Sequence, residues 1–166
     1  MPIRLRPLDD SDLDRFFDWE RDPAGVAMAA FTPADPSDRS AFDAHYARIR
    51  ADPDVLERAI EVDGALVGKI ASFTVEGHRE ISYWVDPDRW GRGFASAGLA
   101  AFLELELTRP LRARVAEHNI GSATVLTRAG FTRVDSEIAY AAGVGRDVVE
   151  HIYRLDEQPA RDDAAA

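Results

Sequence analysis

Apolar and polar positions alternate through Ile3-Arg4-Leu5-Arg6-Pro7-Leu8, which predicts a first, edge-like strand. The period then changes. Leu13, Phe16, Phe17 and Trp19 recur at helical spacing behind Asp9-Asp10-Ser11-Asp12, a run of N-cap residues, and Asp22-Pro23 closes that helix. A short helical or irregular piece covers 26–31, and the prolines and Asx residues of 32–38 make a loop. Ser37 or Asp38 caps a second helix carrying Phe42, His45, Tyr46 and Ile49. Strand patterns at 59–62 and 65–75 flank Asp63-Gly64, a strong hairpin signal, and Glu76-Gly77 turns the chain again into a strand at 79–85. Asp86-Pro87-Asp88 stops that strand, because proline fixes φ and cannot donate to a ladder. Gly91 and Gly93 follow, then a helix over 94–107, where Leu99, Phe102, Leu103 and Leu107 keep the helical period among alanines.

Downstream, 111–115 reads as a strand, 117–122 as a loop, and 123–129 as a short helix stopped by Gly130. Two last strands are predicted at 131–134 and 148–153, with Gly143-Val144-Gly145 between them as a hairpin or exposed loop. Residues 1–157 are expected to form one domain, and the polar, alanine-rich 158–166 a frayed tail. Three antiparallel strands precede the glycine turn, which is not how a doubly wound parallel domain begins.

Composition narrows the function. The 166 residues are 46% hydrophobic and 30% charged, as in a soluble globular chain with a core of its own. Twenty basic against thirty acidic residues give a formal charge of −10, which argues against nucleic acid as a partner. No cysteine is present, so disulfides, thiolate metal sites and a cysteine nucleophile are excluded, and no metal is expected. No apolar run approaches the roughly 20 residues of a membrane span, and the start shows no apolar segment of a signal peptide. The expected setting is therefore the cytoplasm, without membrane contact.

The candidate chemistry lies in the strand–turn–helix. Such a turn aims free backbone N–H groups, and the positive end of the helix dipole, at one point, and glycine lets a ligand approach closely. A phosphate suits that point. Lys69 is the only lysine, so a P-loop is excluded; Gly91 and Gly93 begin a dinucleotide fingerprint, but Ser96 holds its third glycine position. Trp90-Gly91-Arg92-Gly93-Phe94-Ala95 instead resembles the pyrophosphate loop of the GCN5-related N-acetyltransferases (GNATs). That family's Arg/Gln-x-x-Gly-x-Gly/Ala pattern falls on Trp90, Gly93 and Ala95. Trp90 departs from it, yet fits the branch that acetylates the N-termini of ribosomal proteins. A second block, Asn119-Ile120-Gly121-Ser122 followed by Val125-Leu126 and Gly130-Phe131, resembles the family's Asn-x-x-Ser segment in the expected order.

The resemblance implies an α/β (α+β) fold with a mixed, mostly antiparallel central sheet flanked by helices. It implies acyl transfer from acetyl-CoA to an amine. Arg92, Gly93, Phe94, Ala95 and Ser96 would then hold the pyrophosphate, with Trp90 at the head of the loop. Trp84 and Val85 would offer a strand edge to the pantetheine and a donor to the thioester oxygen, and Asn119 and Ser122 would complete the cofactor site. Glu80 is the candidate base, with His78 and His118 as rivals. Many relatives carry a tyrosine four residues before the glycine of Gly-Phe; here that position is Leu126, so Ser122 is the candidate acid. Residues 18–40 and the last hairpin would form the acceptor pocket. A peptide or protein N-terminus is the first expected acceptor and a small amine (amino acid, polyamine or aminosugar) the alternative. A non-catalytic acyl-CoA sensor and a homodimer stay open.

Overall fold

The computed structural model describes residues 2–157; the tail predicted at 158–166 lies outside them. Seven strands form one sheet in the order β1-β2-β3-β4-β5-β7-β6. These are β1 (Ile3–Arg6), β2 (Leu56–Val62), β3 (Ala65–Val75), β4 (His78–Val85), β5 (Leu111–Ala116), β6 (Thr132–Ala141) and β7 (Arg146–Leu155). Every pairing is antiparallel except that of β4 with β5. The helices are α1 (Leu13–Glu20), α2 (Pro23–Ala29), α3 (Arg39–Ala51), α4 (Phe94–Phe102) and α5 (Ile120–Arg128). The mixed, mostly antiparallel sheet flanked by helices is the expected architecture, and β1 is indeed an edge.

The turns form where the sequence placed them. Asp63 and Gly64 take φ of 51° and 78°, and Glu76 and Gly77 take 49° and 81°, the left-handed pair that joins two strands of matching twist. Asp22 caps α2 through the Gly25 N–H, and Asp38 rather than Ser37 caps α3 through the Ala41 N–H.

Alternation along the strands sorts the core into two layers. Ile60, Val62, Ile81 and Val85 face α4 and α5, packing with Phe94, Leu99, Phe102 and Leu126. Trp84 points the other way, into Phe16, Trp19 and Tyr46 of α1 and α3.

β2 and α5 each begin three residues before their predicted starts, at Leu56 and Ile120, and two predicted elements differ more. The helix after the glycine turn ends at Phe102, not at 107. Its last bonds tighten to the preceding third residue, as Glu104 N–H meets the Ala101 carbonyl at 3.3 Å. Glu106 then turns inward: its carboxylate accepts from the Ser72 hydroxyl, from the Thr108 N–H at 2.9 Å and from Arg79 Nε at 3.0 Å. Leu107 kept the helical period but is 65% exposed. The last hairpin is also longer than predicted. β6 and β7 pair from Thr132–Arg154 to Ala141–Arg146. Nine of the ten residues of β6 are exposed, so no inward face marks it in the sequence.

Candidate active site

β4 and β5 are paired only from Arg79–Leu111 to Ile81–Ala113. Beyond Ile81 they part. The direction of the backbone groups in the gap follows from one bond: Asp86 N–H donates to the Val67 carbonyl at 2.9 Å. With Gly68 opposite Val85, the antiparallel alternation turns Ser82 and Trp84 toward β3 and leaves the N–H groups of Tyr83 and Val85 facing the gap. An amide-bearing chain laid there finds a strand edge, and a developing oxyanion finds a donor.

Trp90 acts at the same place. Its indole N–H donates to the Val85 carbonyl at 3.1 Å, so the residue that departs from the Arg/Gln pattern ties the glycine loop to the end of β4. Gly91 and Gly93 take φ of 77° and 80°, and no side chain caps α4. Its first N–H groups, on Phe94, Ala95 and Ser96, are left for a ligand.

A cavity of about 500 Å³ joins these features. Of the predicted cofactor residues, Trp84, Val85, Trp90, Gly93, Phe94, Ala95, Ser96, Asn119 and Ser122 lie on its wall. Arg92 does not. It is exposed, and the cations on the wall are Arg89 and Arg128.

Asn119 and Ser122 have different tasks from those their residue types first indicate. The Asn119 side chain accepts from the Ser122 N–H at 3.2 Å, so Asn119 caps α5 and Ser122 does not. The Ser122 hydroxyl is thereby free to meet Tyr83, whose phenol oxygen lies 2.7 Å away. Burial pushes the Tyr83 hydroxyl up to about 12, with the Ser122 contact opposing it. Sequence reasoning missed Tyr83, because 39 residues separate it from Ser122. The strand alternation was the available signal: Tyr83 shares a face with Ile81 and Val85, toward α5.

Glu80 is not brought together with the others. It is 6% exposed, its Oε2 meets Arg114 Nε at 3.3 Å, and it is not on the wall of the cofactor cavity. Arg114 also holds Glu137 at 3.1 Å and Glu150 at 3.2 Å. His118 Nε2 meets the Ala27 carbonyl at 2.8 Å and ties the loop to α2. His78 is exposed, at the far end of β4.

A second cavity, about 420 Å³, lies on the face of the sheet that carries Trp84 and is lined by Glu20, Phe31, Tyr46, Glu57, Lys69 and their neighbours. Tyr83 and Trp84 line both cavities. The expected acceptor segment supplies Glu20, Phe31, Thr32 and Pro33; Glu57 and Lys69, from β2 and β3, were not foreseen. Tyr46 donates to Glu20 at 3.1 Å, and Lys69 lies 3.4 Å from the same carboxylate and donates to the Tyr46 hydroxyl. Burial lowers His45 and raises Glu57.

The sequence profile of the acetyltransferase (GNAT) domain matches residues 3–132. The chain belongs to the GNAT family. It is an acetyl-CoA-dependent N-acetyltransferase, and the loop, the uncapped α4 and the open edge of β4 fit that cofactor. Solved GNAT structures share its fold. RimJ of Mycobacterium smegmatis, in complex with CoA-disulfide, superposes with a TM-score of 0.76 at 24% identity over 93% of this chain and 81% of that one. Spermidine N-acetyltransferase of Vibrio cholerae, with CoA and spermine, gives 0.75 at 17% identity over 91% and 94%. AAC(6')-Ib, with ribostamycin and coenzyme A, gives 0.75 at 16% over 99% and 100%. A comparison with curated proteins finds no match. Among the described residues no helix is long and apolar enough to cross a membrane.

Proposed function

We propose that this GNAT protein moves the acetyl group of acetyl-CoA to a primary amine entering from the α1–α3 face, with a peptide or protein N-terminus as the first acceptor. The observation that carries the reading is the meeting of the two cavities at Tyr83 and Trp84. A thioester held along the open edge of β4 is there within reach of an amine on the other side. The peptide acceptor is supported by the Trp90–Ala95 loop and by likeness to RimJ. A small amine is the second reading, favoured by the carboxylates of Glu20 and Glu57 within the acceptor cavity.

In this proposal the α4 N-terminus holds the pyrophosphate and the Val85 N–H faces the oxygen that gains charge. Ser122, paired with Tyr83, gives a proton to the departing thiolate. Glu80 is the base proposed from its place on β4; to act, it must reach the ammonium through water and past Arg114. Alignment of a free amine with the thioester supplies much of the rate in any case.

The test is thiol release from acetyl-CoA against peptides and small amines. Turnover with peptides supports the first acceptor, and turnover with small amines alone supports the second. Binding of acetyl-CoA without release on any amine refutes acetyl transfer and leaves a sensor.

A further inference from the structure

The acceptor cavity holds one carboxylate, Glu57, that feels the charges of Lys69 and Arg50 but has no direct hydrogen-bond or ion-pair partner among the described residues. Glu20 is satisfied: Tyr46 donates to it at 3.1 Å and the Lys69 ammonium stands 3.4 Å away. Lys69 is itself enclosed, with the rings of Phe16 and Tyr46 at 5.4 and 4.8 Å. Glu57 lines the same cavity, is half-buried, and its carboxylate makes no hydrogen bond or ion pair among the described residues. Burial disfavours the ionised carboxylate and raises Glu57, and a cation from outside the chain, set against it, would restore the ionised form.

Its place relative to the chemistry follows from register. Glu57 pairs with Ala71 and Lys69 with Trp84, so Glu57 lies two strands from β4 and two residues off the Trp84 row. With strands about 4.8 Å apart and a rise of about 3.3 Å per residue, its Cα is roughly 12 Å from that of Trp84. That is too far for one nitrogen to meet both Glu57 and a thioester on β4.

We infer that Glu57 is a specificity-determining residue and that the preferred acceptor carries a second cationic group, an ammonium or guanidinium, several ångströms from the amine that is acetylated. The inference rests on the acetyl-transfer reading and deepens it. Two sources offer this chemistry: an alkyl diamine, or a peptide whose second residue is basic.

The experiment compares thiol release from acetyl-CoA by a linear alkyl diamine and by the monoamine of equal chain length. A peptide with arginine at its second position is compared in the same way with its glutamine counterpart. Each pair is run on the wild type and on Glu57→Gln. The dicationic member of at least one pair should have a KM lower by at least about tenfold, the effect of one charge-assisted hydrogen bond. Glu57→Gln should abolish that difference by raising the dicationic KM to that of its monocationic counterpart. The pair that shows the effect identifies the source. Equal KM values within both pairs on the wild type, where no variant is involved, overturn the inference while acetyl transfer stands. A preference that survives in a folded Glu57→Gln protein assigns the recognition elsewhere and also overturns it. No release from any of the four amines removes this inference, and with coenzyme A still bound it counts against the transfer reading as a separate result.

Discussion

Tyr83→Phe separates a proton relay from a structural contact. The variant removes one oxygen and keeps the ring, which packs against the α4–α5 layer. In stability, it removes the hydroxyl's contacts with Ser122, 2.7 Å to the side-chain oxygen and 3.4 Å to the carbonyl, together worth about 1 kcal/mol or less net. Ser122 faces the cofactor cavity and can turn to water there, so the loss should lie at the low end. For a domain of this length, where 1 kcal/mol lowers Tm by about 2–4 °C, a loss of about 0.5 kcal/mol is a fall of about 1–2 °C. In chemistry, a positioned acid contributes about 10²–10⁴-fold. A thiol is already a fair leaving group at a pKa of about 8.5, so the low end applies again: about 10²-fold in the single-turnover rate. Because burial holds the Tyr83 hydroxyl up to about 12, it stays a donor throughout the range in which the protein can be assayed, and the loss should not vary with pH. The assays are rapid-quench acetyl transfer and thermal melting on the same preparation. Ser122→Ala should match Tyr83→Phe, and the double variant should be no slower than either, because groups that act as one chain are not additive. A Tyr83→Phe rate within about threefold of wild type, under 1 kcal/mol of barrier, would refute the relay.

Three further outcomes are expected. Gly93→Val places a side chain where φ is 80° and where the pyrophosphate must approach; acetyl-CoA affinity by calorimetry should fall at least about tenfold in a folded protein, and wild-type affinity would mean the site is misplaced. Glu80→Gln separates a base from a partner of Arg114: the proposed base role requires turnover to fall at least about 10²-fold with cofactor affinity kept, whereas a lowered Tm alone would leave only the ion pair. Burial alone would raise Glu106, but Ser72, Thr108 and Arg79 outweigh it and bring it from 4.5 to about 2, a gap equivalent to at most about 3 kcal/mol. A depressed carboxylate stabilises fully above its unfolded value and loses that contribution as pH falls from 4.5 toward 2. Glu106→Gln should therefore lower stability at neutral pH and flatten the acid limb of the unfolding curve, which denaturant titrations across that window measure.

Local chemistry was legible in the sequence wherever one residue type decides the backbone. Asp63-Gly64 and Glu76-Gly77 need left-handed φ, Pro87 cannot continue a ladder, and Gly93 opens α4 without a cap. The glycine loop follows from such local rules, whereas the open strand edge was implied by the family resemblance and the Asn119 cap of α5 was not read. Contacts distant in sequence were hidden. α4 ends at Phe102 and Glu106 turns inward to Ser72 and Arg79, although Leu103 and Leu107 keep the helical period beyond the helix end. β6 has no buried face, so nothing in its pattern marked its length. Tyr83 reads as an ordinary strand aromatic until α5 brings Ser122 to it, and Glu57 as a surface carboxylate until the fold sets it on a cavity wall with residues of α3.

Tyr83 and Trp84 are adjacent in the chain yet face opposite sides of the sheet, so the two chambers adjoin across a single strand, β4. Donor and acceptor can therefore use separate doors. Neither has to leave before the other arrives, and the kinetics should show both bound together, with intersecting rather than parallel double-reciprocal lines. The same strand separates two kinds of mutation. The walls contributed by α1, α3, β2 and β3 can be rebuilt for a different amine while the glycine loop, Trp90 and the open edge of β4 continue to hold an unchanged cofactor.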